Sequence, residues 1–143
     1  MASAIPLTGG VSSDIHLVTT PAGPVVVKRA LAQLRTAQEW RAPVERSRYE
    51  AAWMREAARI VPDAVPKLLG HDEAAGTITM EYLPPETYPL WKNQLRDGRA
   101  DPAIAEAVAD RLVRIHAATA AAPALAHDFP TEAIFRAIRL EPY

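Results

Sequence analysis

Two adjacent glycines and a lysine are the residues of this chain whose types and spacing could do chemistry. Gly9 and Gly10 lie near the start of the chain, and Lys28 follows a β-branched run at 25–27. Glycines let backbone N–H groups approach a polyanion, and a lysine on a strand can reach its phosphates. Taken alone, the run fits either a phosphate-binding loop with its lysine or an ordinary hairpin that carries an exposed lysine.

Short strands surround these residues. Ile15 and Leu17 alternate with polar residues as in a strand, Pro21–Pro24 is a turn signal, and the run at 25–27 predicts a second strand. A strand at 65–70, a turn at 71–76 and a strand at 77–83 follow, and two prolines end the last one. Most of the strands therefore lie in the first part of the chain.

One helix is predicted among the strands. It should begin between Pro43 and Ser47 and run to about Ile60, with Pro43 in its first turn or Ser47 as its N-cap. Its predicted apolar face consists of Tyr49, Trp53, Ala57 and Ile60.

The second part of the chain is helical. Asp101 suits an N-cap and Pro102 suits the first helical position, so a long helix should begin there. A continuous apolar stripe along this helix consists of Ile104, Val108, Leu112, Ile115 and Thr119. A last short helix is predicted over 131–140, with Ile134, Phe135 and Ile138 on one side.

The predicted order is three strands, a helix, two strands, a connector and helices. Strands grouped before helices indicate an α+β fold with an antiparallel sheet and one inserted helix. A doubly wound parallel sheet is excluded because the strands do not alternate regularly with helices.

Composition excludes several classes of protein. The 143 residues carry a formal net charge of −1 and no cysteine, so no basic field predicts a nucleic-acid partner and thiolate metal sites are excluded. The N-terminal residues lack the pattern of a signal peptide, and no apolar run is long enough to span a bilayer. We expect a cytoplasmic protein that binds neither nucleic acid nor membranes.

Six short motifs occur in a familiar order along residues 5–120. They are Leu7-Thr-Gly-Gly-Val-Ser-Ser-Asp14, Val27-Lys28, Arg48-Tyr-Glu50, Val65-Pro66, Met80-Glu-Tyr-Leu83 and Leu112-Val-Arg-Ile-His116. Together they resemble the aminoglycoside phosphotransferase family, which includes choline, homoserine and methylthioribose kinases and has a protein-kinase-like fold. The resemblance implies an N-lobe at 1–83 that binds nucleotide, a hinge and connector at 84–100, and the start of a helical C-lobe at 101–143.

The resemblance also implies how ATP would be held. A loop over the phosphates would consist of Gly9, Gly10, Val11, Ser12 and Ser13. Lys28 would pair with the α- and β-phosphates, and Glu50 would hold Lys28 in place, an ion pair that kinases must assemble for phosphoryl transfer.

The carboxylate that holds Lys28 has a rival. Ser47-x-x-Glu50 also fits a capping box, in which Glu50 would serve only the helix start. Glu56, further along the same helix, is the other candidate partner for Lys28. We favour Glu50 because it lies in the Arg48-Tyr-Glu50 motif.

The predicted adenine site follows from the resemblance alone. Met80 would lie at the back of the pocket, and the Glu81 carbonyl and the Leu83 amide would bond the adenine edge. Without the resemblance, residues 77–83 are simply a core strand ended by two prolines.

The chain departs from the family in its catalytic residues. The family's His-Gly-Asp loop, its following Asn and its later metal-binding Asp do not occur in the sequence. We therefore expect no catalytic or metal-binding residue here, and interpret the chain as an N-terminal fragment of an ATP- and Mg²⁺-dependent kinase that phosphorylates a hydroxyl of a small molecule. The alternative is a non-catalytic nucleotide-binding or interaction module. Apolar helix faces left uncovered would favour self-association.

Overall fold

The computed structural model of the protein describes residues 3–7 and 10–141 and has an α+β fold. The strands are β1 (Ala4–Pro6), β2 (Ser13–Thr20), β3 (Gly23–Ala30), β4 (Leu68–Asp72) and β5 (Thr77–Glu81). They form one five-stranded sheet in the order β1-β2-β3-β5-β4, and every neighbouring pair is antiparallel. The predicted fold class is confirmed.

The helices follow the predicted order, with additions. They are α1 (Arg46–Ile60), α2 (Trp91–Arg96), α3 (Pro102–Ala120), α4 (Leu125–Asp128) and α5 (Glu132–Phe135), which continues into a π-helical turn at Arg136–Leu140. Helix α2 lies in the segment predicted as a connector, and α4 was not predicted. Strand β4 begins later than predicted and includes two residues expected in the following turn.

Glycine permits the tight turn between β4 and β5. Gly76 has a φ of 62°, in the left-handed region that side chains with a Cβ rarely adopt. Gly76 is buried, and a Cβ there would lie 3.8 Å from the Ser47 hydroxyl, so the end of this turn packs against the start of α1.

The core joins α1 to the sheet and to α3. Ala51 and Met54 of α1 pack with Ile78 of β5, which is 1% exposed. A second cluster consists of Ala57 of α1, Val61 directly after α1, and Ile115 of α3. Helix α1 is therefore held on both sides, by the sheet and by the long helix.

The predicted apolar face of α1 is confirmed at Ala57, which is buried, and at Ile60, which packs against the same core cluster, but it is wrong at Trp53. The buried residues are Ser47, Ala51, Met54 and Ala57, whereas Trp53 is 42% exposed. Small side chains let the helix approach the sheet closely, so alanines rather than aromatic rings form the contact.

Helix α1 begins at Arg46, inside the predicted range between Pro43 and Ser47, and ends at Ile60 as predicted, but neither of the two predicted arrangements of its start forms. Glu45 occupies the N-cap position without a side-chain cap bond, and Arg46 is the first helical residue. Ser47 lies inside the first turn, where its hydroxyl donates to the Val44 carbonyl at 3.0 Å. Ser47 is therefore not the N-cap that the sequence predicted.

The start of α3 is confirmed, but its stripe is only partly covered. The Asp101 carboxylate accepts a hydrogen bond from the Ala103 amide at 2.9 Å, as an N-cap should. Ile115 is 8% exposed, whereas Val108 and Leu112 are 39% and 49% exposed. Over the described residues, no helix combines the length and the apolar character needed to cross a bilayer.

We predict that the chain self-associates through the stripe of α3. Burying an apolar side chain contributes about 1.5–3 kcal/mol, and Leu112 and Val108 are exposed together on one face. Leu112→Asp should shift the sedimentation coefficient at micromolar concentration toward that of the monomer.

Val113→Asp is the matched control for that variant. Val113 is 66% exposed and lies on the opposite side of α3, so its substitution should leave the association unchanged. A wild-type chain that sediments as a monomer would contradict self-association.

Candidate functional site

An ion pair connects the middle of the sheet to α1. Lys28 lies in β3, and its Nζ donates to Glu50 Oε1 in α1 at 2.5 Å. The two side chains are 25% and 36% exposed, so the pair is partly shielded from solvent and from salt screening. The lysine and the carboxylate that the sequence singled out are thus in direct contact.

The rival carboxylate is engaged elsewhere. Glu56 pairs with Arg59, whose Nη2 lies 2.5 Å from Glu56 Oε1. The hydrogen bond from Arg59 lowers the pKa of Glu56 below its ordinary value of 4.5 and raises the pKa of Arg59. Of the two candidates, Glu50 is the partner of Lys28. The capping box does not form, because Ser47 is not the N-cap.

Two residues that the sequence analysis did not single out share a face of the sheet with Lys28. Val26 lies two residues before Lys28 in β3, directly opposite Leu17 of β2 and Met80 of β5. Residues two apart on a strand, and residues directly opposite on neighbouring strands, point to the same face. Because side chains alternate between the two faces of a strand, the predicted strand at 25–28 could have placed Val26 on the face of Lys28. Leu17 is identified only by the register of β2 with β3.

The predicted phosphate loop connects β1 to β2. Gly9 lies outside the described residues, Gly10, Val11 and Ser12 lie in the loop, and Ser13 begins β2. The backbone N–H groups of the three loop residues donate to no other residue in the described part of the chain. A Cβ on Gly10 would meet nothing within 4 Å, so this side of the loop is open. The loop therefore has N–H groups available for an anion.

The carbonyl groups of the same loop are engaged. Val11 O accepts from the Arg35 amide at 2.8 Å, and Ser12 O accepts from the Leu31 amide at 3.1 Å. The segment after β3 thus holds the loop through the Val11 and Ser12 carbonyls.

Several charged groups surround the loop. Asp14, whose side chain is 13% exposed, pairs with Arg29 at 2.9 Å and also with Arg35. Burial lowers the pKa of Arg46, and the Glu50 carboxylate opposes that shift. Asp14 and Arg29 are directly opposite each other on β2 and β3, one residue from Ile15 and Lys28, so this pair lies on the other face of the sheet from Lys28.

The three predicted adenine contacts lie at and beyond the end of β5. Met80 is half-buried and packs against the cluster of Ala51, Met54 and Ile78. The Glu81 carboxylate accepts from the Lys67 amide at 2.8 Å, which fixes the end of the strand.

Leu83 follows two residues after the strand ends. Its backbone amide donates to no other residue among those that the structure describes. The Leu83 amide is therefore available to an external acceptor.

Metal ligands do not converge in this part of the protein. Within 3–7 and 10–141, no group of three or more His, Asp or Glu side chains could hold a metal ion.

Comparison with known proteins establishes the family. Residues 3–141 match the model of the phosphotransferase enzyme family (APH). The chain belongs to the phosphotransferase enzyme family. The resemblance inferred from the six motifs is confirmed by this match, and the sheet with its single inserted helix is consistent with the N-lobe of these phosphotransferases.

One curated relative is similar over much of the chain. Methylthioribose kinase 1 of Oryza sativa subsp. japonica is 32% identical over 101 residues, which are 70% of this chain and 23% of the relative. The aligned region spans less than a quarter of the relative's length.

We predict that Arg59→Gln raises the pKa of Glu56 toward 4.5, because it removes the hydrogen bond that stabilises the carboxylate. Titration of the Glu56 carboxyl carbon by NMR measures the change. The pKa of Glu56 is lower in the folded state than in the unfolded state. The Glu56–Arg59 pair therefore stabilises the folded protein above the unfolded-state pKa, and this stabilisation is lost as pH falls through the folded-state pKa.

Arg55→Gln serves as the control, because Arg55 lies on the same helix and does not bond Glu56 among the described contacts. A Glu56 pKa that shifts equally in both variants would contradict the assigned pair.

Proposed function

We propose that this chain is the nucleotide-binding part of an ATP-dependent phosphotransferase that transfers the γ-phosphate to a hydroxyl of a small molecule. The observation that carries the proposal is the ion pair between Lys28 of β3 and Glu50 of α1, which is 2.5 Å long. The N–H groups of the nearby loop 10–12 donate to no other residue in the described part of the chain. Kinases require this pair for phosphoryl transfer, and membership of the family supports the same role here.

Each part of the proposed site has a separate task. The amides of Gly10, Val11 and Ser12 would bind phosphate oxygens, with Gly9 and Ser13 at the ends of the loop. Lys28 would bind the α- and β-phosphates while Glu50 fixes its direction. Positive charge and oriented N–H groups stabilise the polyanion without needing to reorganise.

The adenine would occupy the sheet face next to the hinge. Val26, Leu17 and Met80 would supply apolar contacts to the ring. The Glu81 carbonyl and the Leu83 amide would bond the adenine edge, and the absence of a described partner for that amide supports this role.

The acceptor is proposed only as a chemical class. The similarity to a methylthioribose kinase supports a small molecule with a reactive hydroxyl as acceptor. ATP would enter as its Mg²⁺ complex. No role in metal binding is assigned to the residues of this chain, because the part that the structure describes has no group of three or more His, Asp or Glu side chains close together.

A second candidate function is a non-catalytic nucleotide-binding or interaction module on the same scaffold. The absence of a His-Gly-Asp motif from the sequence favours it. ATP titration separates an interaction module that does not bind nucleotide from the proposed nucleotide site.

We predict that Lys28→Ala weakens ATP binding about tenfold or more, because a charge-assisted contact contributes roughly 1.5–3 kcal/mol. Isothermal calorimetry of the full chain with ATP, in the presence and absence of Mg²⁺, measures the change.

Lys67→Ala is the matched control, because it removes an exposed lysine beside the sheet that makes no contact with Glu50. Equal ATP affinity for the two variants would refute the role of Lys28. A wild-type chain that does not bind ATP would refute the nucleotide site itself.

We further predict that the chain alone transfers no phosphate to any small-molecule acceptor. Phosphoryl transfer needs an aspartate that orients the acceptor hydroxyl together with metal ligands, and the sequence has no His-Gly-Asp motif. Incubation with radiolabelled ATP, Mg²⁺ and a panel of sugars and amino alcohols should give no labelled product. Turnover that depends on both Mg²⁺ and Lys28 would contradict this, and Asp128 would then be the first aspartate to substitute.

A further inference from the structure

One guanidinium holds together three separate segments of the backbone. Arg46 donates to four carbonyl oxygens, from Ser12 at 2.6 Å, Leu31 at 2.7 Å, Pro43 at 2.7 Å and Ala42 at 3.1 Å. Two of these acceptors lie just before α1, and the other two lie far from it along the chain. These four contacts use the guanidinium's rigid, planar array of donors.

The segments that Arg46 connects are those of the proposed nucleotide site. Ser12 is the last residue of the loop before β2, and Leu31 directly follows β3, the strand that carries Lys28. Arg46 is the first residue of α1, one helical turn before Glu50, on the same side of the helix. A single side chain therefore fixes the distance between the loop and the two members of the ion pair.

The contact at Ser12 is reinforced from the backbone. The Ser12 carbonyl accepts both the Arg46 guanidinium and the Leu31 amide, and the neighbouring Val11 carbonyl accepts the Arg35 amide. Without Arg46, the Leu31 carbonyl would lose this donor in a half-buried position, and the Ser12 carbonyl would keep only one. Such groups are costly to leave unpaired, so the loop would move until water or another donor reached them.

We infer that Arg46 is a positioning residue that holds the loop of Gly10, Val11 and Ser12 at a fixed distance from Lys28 and Glu50. In this role Arg46 does not touch the nucleotide. It keeps the loop amides and the lysine directed at the same phosphate chain. The expected effect of Arg46 on ATP binding rests on the proposed function, whereas its effect on the position of the loop does not.

Hydrogen exchange followed by NMR tests the positioning directly. Arg46→Lys keeps a positive charge but cannot reproduce the planar array of donors, so the helix start should survive while the loop loosens. The amides of Leu31 and Arg35 bond the loop carbonyls and should exchange about tenfold faster or more, while Ile78 in the core keeps its rate. Unchanged exchange at Leu31 and Arg35, or equal acceleration at Ile78, would overturn the inference.

Nucleotide titration gives a second, independent readout. Arg46→Lys should weaken ATP binding about tenfold and leave adenosine binding unchanged, because only the phosphates contact the loop. Arg114→Lys is the matched control. Arg114 also donates to a backbone carbonyl, Ile60 O at 3.1 Å, but this carbonyl lies at the end of α1 opposite to Arg46. Arg114→Lys should change neither affinity.

The outcomes separate this inference from the proposed function. Equal loss of ATP and adenosine affinity in Arg46→Lys would indicate a general structural role and overturn the inference. A wild-type chain that binds no ATP would refute the proposed function, and the exchange rates would still decide whether Arg46 positions the loop. If Arg46→Lys does not fold, Arg46→Gln is measured in the same two ways.

Discussion

The ion pair between Lys28 and Glu50 depends on how closely α1 lies on the sheet, and the proposed site depends on the pair. Lys28 lies on a strand and Glu50 on a helix, so the two side chains meet only if the helix packs at the right distance from the sheet. The packing of Ile78 against Ala51 and Met54 fixes that separation. Apolar burial thus stabilises the helix position, and the charged pair uses the resulting geometry.

Helix α1 combines three tasks on different parts of its surface. Its alanine face packs on β5 and toward α3, Glu50 reaches the lysine, and Arg46 reaches the loop and the end of β3. A shift of this helix would change all three together.

Membership of the phosphotransferase enzyme family narrows the function, and the residues within the chain determine what can be proposed for it. The loop amides donate to no other residue in the described part of the chain, and Lys28 lies on the face of the sheet toward α1, which together favour binding a polyanion. The sequence has no His-Gly-Asp motif, and the described residues include no group of three or more metal-ligating side chains. The proposal therefore assigns nucleotide binding to this chain and assigns no step of the phosphoryl transfer to its residues.

Local signals in the sequence were enough to predict the α+β class, the strand that carries Lys28 and the start of α3 at Asp101, because turns, alternation and caps depend on neighbouring residues. The sequence favoured Glu50 over Glu56 as the partner of Lys28, and the packing that turns one side of α1 toward the sheet decided the choice. The role of Arg46 left no pattern in the sequence. Its partners are backbone carbonyls, which every residue carries, and only the tertiary structure brings them within reach of one side chain.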